Sequence, residues 1–143
     1  MIKTYRGQMA DDSQDHIRLG TPQGKVGYRI RKLQIMGEQP AGANQESVVK
    51  IYKNIQSAID AKVDFSDSSL LAAAYLEAAA DAKTESQPQV IIFDSEIFNQ
   101  DIYITHKDSE SGEPCNFYLE MEQVKLTEQE ALVSIVKNLR NQP

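Results

Sequence analysis

In "CNFYLEMEQVKL", residues 115–126, apolar and polar positions alternate: Phe117, Leu119 and Met121 point one way, Tyr118, Glu120 and Glu122 the other. A period of two is that of an extended strand with one face in a core and one in water, as in an antiparallel sheet. The same reading holds for "KVGYRIRKLQIM", where Val26, Tyr28 and Ile30 share a face. The apolar parity then moves to Leu33 and Ile35, which predicts a β-bulge between the two halves. "SVVKIYK", "PQVIIFD" and "QDIYITHK" are further β-branched and aromatic runs, the last with Ile102 and Ile104 set against Tyr103 and Thr105. "AKVDFSD" is a candidate short strand. "GEQPAGANQE" and "DSESGEP" carry the glycine, proline and asparagine of connecting loops and turns.

Two stretches break the β pattern. "SSLLAAAYLEAAADAK" is rich in helix formers, and Leu70, Leu71, Ala74, Tyr75 and Ala78 fall on one helical face, with Asp67 or Ser68 as a cap. A short helix over 68–80 is the preferred reading; a buried strand is the alternative, because β segments flank it. After the last strand, Thr127 and Glu130 form a T-x-x-E capping box, followed by an apolar stripe of Leu132, Val133, Ile135, Val136 and Leu139, and by Lys137 and Arg140 in the final turn. This predicts a C-terminal α-helix. Residues 1–24 are polar, punctuated by Gly7, Gly20, Pro22 and Gly24, and read as an extended arm with at most a short strand at Ile17–Leu19. The expected architecture is thus mainly β: an antiparallel β-sandwich over 25–143, with an N-terminal arm over 1–24 and a C-terminal helix.

The 143 residues suit one domain and suffice for a core without staples. Apolar residues make up 41% and no run nears the length of a membrane span, so no membrane partner is expected. The opening stretch has no apolar segment of the kind found in secretory leaders. One cysteine excludes an internal disulfide. The net charge of −6 argues against general binding to nucleic acid, whose affinity comes from Lys and Arg on phosphates. That charge is uneven: residues 1–36 hold seven Lys/Arg against three Asp, net +4, and the remainder holds eight against eighteen Asp/Glu, net −10. Arg6, Arg18, Lys25, Arg29 and Arg31 are therefore candidate contacts to an acidic partner or another copy, the alternative being plain solvated surface.

Candidate chemistry is sparse. In "RLGTPQGKVGYRIRK" three residues separate Gly20 from Gly24 where a phosphate loop needs four, and Val26 stands where a hydroxyl should bind Mg²⁺. A turn entering the Val26 strand is the better account. His16 and His106 are the only histidines, too few for a zinc site with the neighbours present, and His106 is expected to face solvent. Cys115 follows Pro114 in a turn with no base nearby in sequence. "DSESGE" lacks the ligand order of a calcium loop. Glu120 and Glu122 share a face and resemble a carboxylate pair, but on a wet face they serve solubility. No catalytic residue, metal or cofactor is expected, and no enzyme activity.

The stretches "TYRGQMADDSQDHIRLGTPQGKVGYRIRKLQIM", "ESVVKIYK", "VDFSDSSLLAAAYLE", "IIFDSEIFNQDIYITHKD" and "CNFYLEMEQVKLTEQEALVSIVKNLRN", covering nearly the whole chain, resemble small virion structural proteins of marine tailed phages. The resemblance implies a non-enzymatic structural protein located in the virion after assembly in the host cytoplasm. Its first role would be decorating or cementing the capsid exterior, through contacts with the major capsid protein and with itself. The alternatives are a tail or connector component, or a small β-sandwich module binding a ligand or glycan. The resemblance supplies no catalytic residue.

Overall fold

The computed structural model describes residues 1–20, 25–39, 44–78 and 89–126. They form eight strands: β1 (Ile2–Met9), β2 (Ser13–Ile17), β3 (Val26–Gly37), β4 (Gln45–Tyr52), β5 (Leu70–Ala78), β6 (Gln89–Phe93), β7 (Ile102–Asp108) and β8 (Cys115–Lys125). A three-stranded sheet has the order β1-β8-β3 and a five-stranded sheet the order β2-β7-β4-β5-β6, with every pairing antiparallel. The fold is mainly β and sandwich-like. Ile30, Leu33, Leu119 and Met121 of the first sheet join Val49, Ile51, Ala74, Ile102 and Ile104 of the second in one buried cluster.

The alternating strand lies where its pattern puts it. Leu119 and Met121 are fully buried in β8, the central strand of the first sheet, while Tyr118, Glu120 and Glu122 are half-exposed. The bulge expected in β3 falls between Ile30 and Lys32, so Arg31 is the extra residue. It lets Ile30 and Leu33 both face inward and turns Arg29, Arg31 and Lys32 outward.

Three expectations are corrected. Residues 70–78 are not a helix but β5, paired to β4 and β6. Leu71, Ala72, Ala73 and Ala74 are buried in turn because both faces of β5 are covered, so the run is apolar throughout rather than alternating. Packing overrides the helix propensity of alanine here. Residues 1–20 do not trail as an arm: β1 pairs along its whole length with β8, and β2 pairs with β7, so this segment contributes to both sheets. "AKVDFSD" is not a strand but a series of turns, in which Asp64 and Asp67 accept hydrogen bonds from the amides of Ser66 and Ser69. The Thr127–Glu130 capping box and the helix it predicts lie outside the described residues.

That turn-rich connection, residues 53–69, covers part of the outer face of the second sheet. Lys50 is buried beneath it and donates to Asp60 Oδ1 (2.8 Å) and to the Lys62 carbonyl (2.6 Å). Lys53, also buried, pairs with Glu96 at 2.9 Å. Gln14 and Gln56 exchange amide hydrogen bonds at 2.9 and 3.2 Å. A buried ammonium without such partners is costly, so these contacts hold the connection in place.

Candidate functional site

Among the described residues, the outer face of the first sheet is exposed or half-exposed. Cross-strand register sets its composition row by row: Ile2, Glu122 and Arg29; Thr4, Glu120 and Lys32; Arg6, Tyr118 and Gln34; Gln8, Asn116 and Met36. Each row is on one side because opposed residues in a ladder share a face. The charged members are Arg6, Arg29, Arg31 and Lys32 against Glu120 and Glu122, so a face of net +2 sits on a chain of net −6.

The face is tied together laterally. Arg29 Nε and Arg31 Nη1 both donate to Glu122 Oε2, at 2.9 and 3.1 Å. The Arg29 guanidinium holds the Glu122 carboxyl below its usual range, so two cations share one carboxylate. The Tyr118 hydroxyl donates to Glu120 at 2.9 Å, and that bond keeps the phenol protonated. Lys32 Nζ stands 5.9 Å from the Tyr118 ring centroid. Gln8 donates to Asn116 at 3.1 Å. Among the described residues Arg6, opposite Tyr118, has no ion-pair partner and is exposed.

Of the five basic residues singled out from sequence, Arg6, Arg29 and Arg31 are thus brought to one face. The ladders do not carry Arg18 and Lys25 there. Arg18 follows β2 and is exposed, its carbonyl accepting from the Tyr5 hydroxyl. Lys25 precedes β3, its carbonyl accepting from the Leu126 amide. Sequence reasoning missed Tyr118 as the cross-strand neighbour of Arg6, and Lys32 and Gln34 on the other side of Tyr118. The signal was present only as cross-strand register, which one strand's pattern does not contain.

The groups with nucleophilic or acid–base chemistry lie elsewhere. His106 does not face solvent as expected: it is fully buried, because its parity is that of Ile102 and Ile104. Its Nδ1–H donates to the Ala10 carbonyl at 3.0 Å, which leaves Nε2 to accept from the Ser47 hydroxyl at 2.9 Å. Gln45 in turn donates to Ser47 Oγ at 2.7 Å. Cys115 is not in a turn but opens β8, fully buried, and burial pushes its thiol up to about 11. This chain of hydrogen bonds resembles a serine–histidine pair, yet Ser47, His106 and Cys115 are all closed to solvent. Its effect is to join β4, β7 and the end of β1. His16, partly exposed, stacks on Tyr103 with ring centroids 4.7 Å apart and contacts Asp101 at 2.8 Å; Asp101 also accepts from the Leu19 amide. Among the described residues no group of three His, Cys, Asp or Glu side chains is arranged to hold a metal ion. Gly20 takes a positive φ of 60°, which glycine adopts freely, and the turn expected at Pro22 and Gly24 lies outside the described residues.

No family model, curated protein or solved structure matches the chain.

Proposed function

We propose that this chain is a non-enzymatic structural protein of a tailed-phage virion, attached to the capsid exterior through the outer face of its first sheet. The observation that carries the reading is the basic face built by β1, β8 and β3 on an otherwise acidic chain. Such a face suits an acidic partner surface, since opposed potentials steer encounter and fix register. Arg6 and Lys32 flank Tyr118 at its centre, and tyrosine and arginine are among the residues enriched in protein interfaces. The resemblance to small virion proteins supplies the partner class: an acidic patch on the major capsid protein. The sandwich reading of the two sheets rests on the core they share.

The test adds purified protein to particles that lack it and measures bound copies by sedimentation. Arg6→Glu with Lys32→Glu should lower bound copies at least tenfold, and raised salt should weaken wild-type binding. Undiminished binding by the doubly reversed variant would remove the face from the attachment surface. A second reading, a glycan-binding module, is favoured by Tyr118 lying in a row of hydrogen-bonding side chains. Binding of the isolated protein to a glycan array, lost on Tyr118→Ala, would replace the first reading with that one.

A further inference from the structure

The two sheets have four edges, and three are protected against pairing with another chain. β1 carries Lys3 and Arg6. β2 carries Asp15 and His16. β3 carries Arg29, Arg31 and Lys32 together with a bulge. Charges and bulges are among the usual means by which edge strands avoid each other. β6 is the exception. Its sequence "QVIIF" has no charge and no proline, its ladder has no register shift, and among the described residues its only ladder partner is β5.

Among the described residues no strand pairs with the other side of β6. The Asp94 amide donates to the Leu71 carbonyl at 3.1 Å on the β5 side. In an antiparallel ladder alternate residues bond to the same neighbour, so residues 90 and 92 also bond toward β5. The amide and carbonyl groups of Gln89, Ile91 and Phe93 therefore point away from the sheet. Beside them Val90 is 52% exposed, Ile92 49% and Phe93 39%. Phe65, 66% exposed, continues the apolar surface on the adjoining connection. Phe65, Ile92 and Phe93 border a cleft of about 370 Å³.

We propose that β6 is a dimerisation edge: it pairs antiparallel with β6 of a second copy across a two-fold axis through Ile91, extending the five-stranded sheet to ten strands. The strand is self-complementary in this register. Ile91 meets its own symmetry mate as a hydrogen-bonded pair, and Val90 meets Ile92 on the outer side. Charge permits the meeting although each copy is acidic. No charged residue lies within the ladder, and the flanking Asp94 residues of the two copies stand six positions apart, roughly 20 Å, beyond the Debye length. The area suffices as well. The exposed apolar side chains leave on the order of 400 Å² in water on each copy. Burying that on both copies, with the backbone of the ladder, reaches the roughly 1,000 Å² at which specific interfaces begin.

Analytical ultracentrifugation of the full chain over a concentration series tests this. Wild type should run as a dimer of 16.0 kDa chains that dissociates on dilution. Ile92→Lys places a charge on the exposed side, and Phe93→Pro removes an outward amide without touching the β5 ladder. Each should weaken dimerisation at least tenfold while leaving the circular dichroism of the monomer unchanged. A wild type that is monomeric throughout, or a dimer insensitive to both variants, overturns the proposal. A monomer whose Ile91 and Phe93 amides resist hydrogen exchange does so too, and shows that the chain's own residues cover the edge. Arg6→Glu with Lys32→Glu should leave the dimer intact, which separates this edge from the attachment face.

Discussion

Asp108 is held as a carboxylate against its own burial. Burial raises its pKa, but backbone amides outweigh that and leave it below the usual carboxylate range. Its oxygens accept from Glu46 (2.9 Å), Glu110 (3.0 Å) and Glu113 (2.7 Å), and its own amide donates to Asp11 at 2.7 Å. One side chain thus joins the start of β4 to the turn between β7 and β8. Asp108→Asn keeps the shape but removes the charge and the acceptor for Glu113. It should cost about 1–3 kcal/mol at neutral pH, the penalty for weakening bonds to buried amides. The pH dependence follows in sign. A depressed folded-state pKa gives stability that is present above the unfolded value of 3.8 and is lost as pH falls through the folded one. Urea titrations of both proteins at neutral pH and near pH 3 should show a gap that narrows in acid. Equal stabilities at neutral pH would mean that the carboxylate contributes nothing. Asp108 was hard to read from sequence because "DSESGE" advertises only an acidic turn. Its role depends on Glu46, distant in the chain.

At the scale of elements, β8 has core on one side and the proposed contact face on the other. Leu119 is fully buried, so Leu119→Ala should destabilise the fold by roughly 2–4 kcal/mol. Tyr118→Ala on the opposite side should change stability by about 0.5 kcal/mol or less. Chemical denaturation of the pair checks the assignment, and a larger loss for Tyr118 than for Leu119 would reverse the faces. This strand and the β3 bulge were legible because a half-buried strand writes its two environments directly into alternate residues. β5 was illegible for the opposite reason. Covered on both sides, it carries no alternation, and alanine's local preference for helix pointed elsewhere. β1 and β2 were missed because an edge strand needs few apolar residues: in β1 only Met9 is buried, and Gly7 stands where a side chain would press on the Phe117 ring. The candidate face was half legible. Its arginines stood out by charge, whereas their grouping around Tyr118 required the register of three strands.

For the whole molecule, the N-terminal segment decides whether the two sheets stay together. It was expected to be a separable arm, and its polar composition favours that view. Its geometry implies the reverse. β1 supplies one edge of the first sheet and β2 one edge of the second, and the turn between them spans both. Met9, Ile17 and Leu19 are buried in the shared core. The Ala10 carbonyl is the acceptor for buried His106, and Asp11 is the acceptor for the Asp108 amide. Deleting residues 1–20 therefore removes three core side chains, each worth about 2 kcal/mol or more, and leaves buried donors unpaired. It also strips two strands of their neighbours. Against a typical total stability of about 5–15 kcal/mol, the sum is enough to abolish folding. The deleted protein should be insoluble, or should lack a cooperative thermal transition and dispersed amide resonances. A shortened chain that unfolds cooperatively near the wild-type midpoint would show that the segment is an arm after all. In that case its removal could be used directly to ask whether Arg6 and Arg18 contribute to attachment.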